Sequence, residues 1–433
     1  MLLVYTHNIS PRLKYIFKHI CTRILSIPVS FTSNVPEFVA HNDLKLSYTT
    51  QPLGNEFFIR SHNILFEQGL SDIDIAVHNW DETKCFFQNG EKSSLPFDIF
   101  SAAFYLLSRY EEYLPHVKDE FGRFTAQESI AYEHKFLHQP VVDIWAYKFR
   151  DALKVRFPDY QYKERSYRVE PVIDVPMAYY YKHKGLMRTI GGVFNDLYRF
   201  KLKSLYKRFL TLFGFQEDPY NTFDWLIEQQ KTVRRKFNVF FLIGDYSTYD
   251  KNVSINNKIF VSLIKSVADY CKVGLKASYF ALEDLNILKR EKRHIEGVIN
   301  IALSQCRNSF SKLNLPLAYR NLVELEINED YTMGYVNENG FRAGTCTPFL
   351  FYDIDYEIQT PLMVYPFQVM DYVLLRHNSL LDKTEELQRF ISEVKRVNGT
   401  FIPVFHNYTF SETERWKGFK ELFEITIHSA DEV

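Results

Sequence analysis

Residues 168–176 read Arg-Val-Glu-Pro-Val-Ile-Asp-Val-Pro (RVEPVIDVP). The strand Arg168–Ile173 runs into Asp174-Val175-Pro176, which puts a carboxylate at a strand end. Short apolar runs of this kind are what parallel sheets bury on both faces. Further runs follow at Asn238–Ile243, Val273–Tyr279, Leu317–Leu322, Met333–Val336, Leu362–Phe367 and Thr400–Phe405, seven predicted strands in all. Helical signals lie between them. Asp218-Pro219 is read as a cap and first-turn proline ahead of a stripe of Phe223, Leu226, Ile227 and Val233. Asp382 with Glu385 resembles a capping box, Leu387, Phe390, Ile391, Val394 and Val397 follow, and Gly399 stands where a left-handed C-cap belongs. Alternating strands and helices predict an α/β barrel or an open α/β sheet, and in either the chemistry gathers at the C-terminal ends of the strands.

Upstream, residues 1–165 read as a smaller α+β domain and 166–433 as the strand–helix domain, with the charged stretch Tyr160–Ser166 as linker. Leu2–Thr6 is a buried strand. Ser10-Pro11 caps a helix carrying Leu13, Ile16, Phe17, Ile20 and Ile24, and Phe97–Tyr113 and Val141–Phe157 are further helices. Strand-like pieces fall at Phe57–Ile59 and Ile73–Val77. Phe100, Phe104, Leu107 and Tyr110 form the stripe by which the aromatic helix packs as core against the second domain.

The whole chain has 433 residues, 46% hydrophobic and 24% charged, which excludes bulk disorder. Its 52 Lys and Arg nearly balance 53 Asp and Glu, so no global field recruits nucleic acid. Aromatics at 16% are abundant enough to line a groove that stacks on flat ligands or sugar faces. Five scattered cysteines without a CxxC pair argue for reduced thiols and against a zinc-thiolate site. With no secretory h-region and no run long enough to span a bilayer, a cytoplasmic location is expected.

Three places invite chemistry. Asp174 is either a loop cap or a catalytic base or metal ligand. His406, in Val404-Phe405-His406-Asn407, puts an imidazole on the same rim, where it either catalyses or is merely structural. Gly340-Phe341-Arg342-Ala343-Gly344-Thr345 is either a plain turn or a loop whose guanidinium holds a carboxylate.

The stretch 171–175, the Arg342 loop and His406 resemble the NodB-homology polysaccharide deacetylases, metal-dependent carbohydrate esterases on a distorted (β/α)7-type barrel. Longer strings resemble a subgroup with an extra N-terminal domain: Pro96–Pro115 (PFDIFSAAFYLLSRYEEYLP), Asp119–Phe124, Tyr181–Gly185, Tyr319–Leu322 and Asp330–Tyr335. The resemblance implies Asp174 as general base, Arg342 as the arginine that holds it, and His406 as the acid that protonates the leaving amine. It also implies Lys276, Arg320, Asp330 and Tyr331 as substrate-binding residues. Relatives use a divalent metal such as zinc, held by a second Asp and two His. Here those positions are Pro176, Lys276 and Ser309, the last in a helix end Cys306–Phe310. A divalent ion would face one carboxylate and a like charge, so neither metal nor other cofactor is expected, and a Lys276–Asp174 ion pair would take its place. His134 and His138, at helical i, i+4 spacing, are read as structural.

The expected function is therefore a deacetylase-like protein that acts on or binds a saccharide or glycan intermediate, with metal-dependent deacetylation lost. Two alternatives stay open: an active metal-dependent deacetylase, or a metal-independent enzyme pairing Asp174 with Glu324, Glu326 or Asp330. From Lys182 to Arg208, eight Lys or Arg stand against one acid, Asp196, among Met187, Ile190, Val193, Phe194, Leu197 and Tyr198. Residues 186–210 thus form either a basic amphipathic helix for peripheral membrane contact or a helical insertion covering one flank of the barrel.

Overall fold

The computed structural model describes residues 1–430. Four strands come first, β1 Leu2–Tyr5, β2 Val29–Thr32, β3 Lys45–Thr49 and β4 Phe58–Arg60, and they form one sheet in the order β2-β1-β3-β4. All three pairings are parallel; helices lie between β1 and β2 and between β2 and β3, while residues 50–57 link β3 to β4 without one. Ser10 caps the helix Pro11–Phe17, its Oγ accepting from the Leu13 N–H at 3.1 Å. From Lys18 the backbone widens into a π-helix to Ile24 and still buries Ile20 and Ile24. A hairpin, β5 His78–Trp80 with β6 Thr83–Cys85, follows; residues 73–77, expected as a strand, lie in the irregular segment before it.

Every residue of the helix Ile99–Leu107 is buried. Phe104 touches Tyr15 on one side and Tyr352 on the other, at ring-centroid distances of 6.2 and 5.3 Å, so this helix joins the first sheet to the second half. The helix Val141–Arg156 adds a polar tie. Its buried Asp143 accepts from Thr345 Oγ1 at 2.6 Å, the Cys346 N–H at 3.0 Å and Arg165 Nη2 at 2.7 Å. Arg165 belongs to the stretch read as a linker, which is pinned rather than loose.

The run at 168–173 breaks at Pro171. Before the break, β7 Arg168–Val169 pairs with β16 Thr400–Phe401; after it, β8 Val172–Val175 starts a second, larger sheet. Its other strands are β9 Asn238–Leu242, β10 Lys272–Ala277, β11 Gln305–Asn308, β12 Glu329–Asp330, β13 Phe349–Asp353, β14 Ile358–Val364, β15 Val369–Met370 and β17 Pro403–His406. The nine lie in the order β13-β14-β12-β11-β10-β9-β8-β17-β15. Only β13 runs antiparallel to its neighbour.

Several expectations are corrected. Leu317–Leu322 belongs to a helix, Leu317–Glu324, because Tyr319 and Leu322, three apart, bury one face behind Pro316. Met333–Val336 is a loop in which Gly334 lies against the Phe367 ring. Cys306–Asn308, read as a helix end, is strand β11. Asp218 does not cap the helix Phe223–Thr232; its carboxylate accepts from the N–H groups of Tyr180, Tyr181 and Lys182. Ser379 is the N-cap of Leu380–Arg396, with Asp382 as the reciprocal partner. Asn398, not Gly399, takes the left-handed conformation (φ 46°); Gly399 is needed because a Cβ would overlap Cys346 Sγ. The short helix Ile130–Glu133 ends before His134, so His134 and His138 share no helix face.

The second sheet is strongly curled. Asp174 on β8 and Arg307 on β11 lie three strands apart, about 14 Å in a flat sheet. Their side chains nevertheless meet at 3.0 Å. Inside the curl, Val172, Phe240, Tyr331, Phe367, Met370 and Val404 form a separate apolar cluster. It closes the floor beneath the C-terminal strand ends.

Candidate active site

Parallel pairing sets Asp174 and His406 directly opposite each other on β8 and β17, while Lys276 and Arg307 are opposite on β10 and β11. The curl brings all four together. Lys276 Nζ donates to Asp174 Oδ2 at 2.7 Å, and Arg307 Nε donates to both Asp174 oxygens at 3.1 and 3.0 Å. Asp174 and Arg307 are each 1% exposed, Lys276 5% and His406 8%, so these charges interact with little solvent between them. Arg307 is itself held: Nη1 donates to the Tyr331 carbonyl, Nη2 to Ser311 Oγ at 3.0 Å, and its guanidinium lies 4.6 Å from the Phe367 ring centre. Burial alone would raise the Asp174 carboxyl pKa. Arg307, then Lys276 and His406, outweigh that and hold it well below the ordinary carboxylate range. Burial lowers the Lys276 ammonium, and the adjoining Asp174 charge offsets only part of the shift.

His406 is oriented from behind by Asp371. Its Nδ1 lies 2.9 and 3.0 Å from the two Asp371 oxygens, and its backbone N–H donates to Oδ2 at 2.7 Å. A proton on Nδ1 satisfies Asp371 and leaves Nε2 facing Asp174 Oδ2 at 3.7 Å. Tyr408 stacks on the imidazole at 5.1 Å, and its hydroxyl meets that of Tyr372 at 2.7 Å.

These groups form the floor of an open cavity of about 1470 Å³. That exceeds the ~300–1,000 Å³ usual for small-molecule pockets and suits an extended ligand. One wall is an aromatic chain, with Tyr180, Tyr220, Tyr408 and Trp416 in successive contact at 4.8, 5.0 and 5.7 Å. Tyr249 and Phe310 stand on another side. Asp250 also lines the cavity, accepting from the Tyr279 N–H at 3.0 Å, and burial raises its pKa.

Of the residues singled out in the sequence, Asp174, Lys276 and His406 converge here. Pro176 and Ser309, at the positions where the resemblance expects metal ligands, line the same cavity. Arg342 does not reach Asp174. It is 2% exposed and forms a two-pronged ion pair with Glu112, at 2.9 and 2.7 Å, while Arg109 binds the same carboxylate at 2.7 Å. The guanidinium that holds Asp174 is that of Arg307. Arg320 pairs with Asp353 at 2.6 and 2.7 Å, away from the cavity. Asp330 is buried against Tyr319 and Thr332, and Tyr331 stacks on Tyr365 at 4.5 Å, contributing only its carbonyl behind the site. Glu324 and Glu326 are exposed and line no part of the cavity.

The donor set does not fit a divalent ion. Both Asp174 oxygens are engaged by cations, and the one imidazole nearby is already tied through Nδ1. Among the described residues, no three His, Cys, Asp or Glu side chains cluster as ligands would. Arg307, Asp371 and Asp250 are not among the residues that the sequence singles out. Val369-Met370-Asp371 repeats the signal that marks Asp174, an apolar run ending in a carboxylate.

A family model described as a family of unknown function (DUF7033) matches residues 2–158. No curated protein matches. Among solved structures, the chain is similar to a protein described as a polysaccharide deacetylase from Mycobacterium smegmatis, at 13% identity over 60% of this chain and 83% of that one, with a TM-score of 0.39. It is also similar to a polysaccharide deacetylase from Bacillus cereus (12% identity, 61% of this chain, 89% of that one, TM-score 0.30). A CE4-family pseudoenzyme from Bacillus anthracis is a further neighbour, at 11% identity over 60% of this chain and 61% of that one, TM-score 0.29.

Proposed function

We propose that residues 166–433 form a deacetylase-like (β/α) barrel, preceded by a domain of residues 1–165, and that the cavity above Asp174 binds or acts on a saccharide without metal-dependent deacetylation. One observation carries the reading: Lys276 and Arg307 occupy both oxygens of the carboxylate that would otherwise serve as base beside a metal. A carboxylate held this far toward its ionised form is a poor proton acceptor. What remains suits recognition: a wide groove, one aromatic wall for sugar faces, and polar groups on the floor. His406 Nε2, with the Nδ1 proton held by Asp371, can still accept from a ligand hydroxyl. All five cysteines are buried and unpaired, which fits the reducing cytoplasm proposed as its location.

Calorimetric titration with chitotetraose and its fully deacetylated counterpart tests the reading. Binding of either is expected, weakened roughly tenfold by Tyr180→Ala if that member of the aromatic wall carries ~1.4 kcal/mol of the contact. Binding of neither oligosaccharide, or zinc-dependent release of acetate from chitotetraose, would overturn it.

A further inference from the structure

Two consecutive helices, Leu186–Tyr198 and Leu202–Leu212, form a hairpin beside the cavity, whose lining includes Lys207, Thr211 and Gln216. Both are amphipathic in the inverted sense. The buried side chains of the two helices are polar, Asp196 in the first and Thr211 in the second. Arg188 Nη1 donates to the Asn252 carbonyl at 3.0 Å, Arg208 pairs with the buried Asp196 at 2.8 Å, and Gly192 lies against the Arg208 guanidinium. The apolar side faces solvent: Met187 is 85% exposed, Phe194 67%, Phe200 87%, Leu202 67%, Phe213 71% and Phe215 80%. A helix of a soluble domain normally buries that face, and a contiguous apolar patch rimmed by polar groups marks an interaction surface.

Charge identifies what covers it. Eight Lys or Arg lie between residues 182 and 208, and the single acid, Asp196, is already paired inward. Arg199, Lys201, Lys203 and Lys207 are all exposed. A second copy of this face would bring the same cationic rim against itself, which disfavours self-association. An anionic lipid surface matches both features, because exposed Phe and Leu side chains enter the headgroup–acyl boundary while Lys and Arg meet the phosphates. We infer that the 186–215 hairpin docks the protein on anionic membranes and sets the cavity mouth at the lipid surface. Among the described residues no helix is long and apolar enough to cross a membrane, so the contact is peripheral. The inference is independent of what the cavity binds.

The test is flotation of the full chain with phosphatidylcholine vesicles, with and without one third phosphatidylglycerol. Expected is co-flotation with the anionic vesicles at low salt, falling at least about tenfold in molar salt or without the anionic lipid. Phe194→Ser with Phe213→Ser should reduce flotation at least about tenfold while leaving the melting temperature unchanged, since both side chains already face solvent. Lys201→Glu with Lys203→Glu should weaken binding to anionic vesicles at low salt. Absence of flotation at low salt, flotation insensitive to the Phe pair, or a dimer that those substitutions dissolve in place of vesicle binding would each overturn the inference.

Discussion

Replacing Asp174 by asparagine should destabilise the protein more than most single substitutions do. Asp174, Lys276 and Arg307 are each at most 5% exposed, and both cations lie within 3.1 Å of the carboxylate. Removing the acid leaves two buried like charges, and breaking a buried pair in this way costs about 3–5 kcal/mol. Lys276 limits the loss, because burial already lowers its pKa and it can shed a proton once the Asp174 charge is gone. A loss near ~3 kcal/mol follows. With an unfolding entropy of about 2.1 cal/mol/K per residue, roughly 0.9 kcal/mol/K for the whole chain, the melting temperature should fall by about 3–4 °C. Adding Lys276→Met to the Asp174→Asn variant should recover about 2 kcal/mol relative to the sum of the single losses, since it removes the stranded ammonium. The pH dependence has a definite sign. The folded carboxyl is depressed, so its contribution is complete above the unfolded value near ~4 and is lost only as pH falls below that. Between about pH 8 and about pH 3 the gap between wild type and Asp174→Asn should therefore narrow at both ends: in acid as the Asp174 contribution is lost, and toward alkaline pH as the variant's stranded Lys276 sheds its proton. Melting curves of wild type, the two single variants and the double variant, measured by calorimetry across that range, decide the matter. A fall under about 1 °C, or additive effects in the double variant, would refute the reasoning.

Other consequences follow from the same physics. Glu112 is buried between Arg342 and Arg109, which outweigh its burial and bring its pKa to about 2. Glu112→Gln should cost about 3 kcal/mol at pH 7, and urea unfolding should show that difference shrinking between about pH 4.5 and about pH 2. Burial pushes Glu291 up to about 7, which the Ser278 N–H donating to its Oε2 at 3.1 Å offsets only in part. The raised folded value means that the proton-bound contribution is present below about pH 4.5 and gone above about pH 7. Glu291→Gln should thus gain about 3 kcal/mol at about pH 8 and nothing at about pH 4.5, read by melting temperature. Gly399→Ala forces a methyl onto Cys346 Sγ and should cost about 2 kcal/mol in urea unfolding, whereas Asn398→Gly, at a left-handed position, should cost nothing or gain slightly.

The sequence exposes the site unevenly, for reasons that differ residue by residue. Asp174 and His406 are legible because an apolar run ending in a polar group marks the rim of a parallel sheet, and their register then makes them neighbours. Lys276 is found through the resemblance, and the pairing expected for it with Asp174 is present at 2.7 Å. Arg307 escapes because Cys306–Phe310 reads as a helix end; a strand period places its side chain on the same rim. Arg342 is matched to Asp174 through the resemblance; its loop is buried, and its partner is Glu112, 230 residues upstream. The helix at Leu317 passes for a strand because a six-residue run is too short for periodicity to decide. The inward polar face of the 186–212 hairpin cannot be read at all. Sequence periodicity finds the apolar stripe of a helix, not which way that stripe turns.

The most direct test of the central claim is a zinc titration into the chelator-treated full-length protein, followed by calorimetry and by elemental analysis after desalting. With Lys276 and Arg307 neutralising Asp174, no saturable site and no retained metal are predicted. One equivalent of zinc bound tightly, and released by Asp174→Ala, would contradict it.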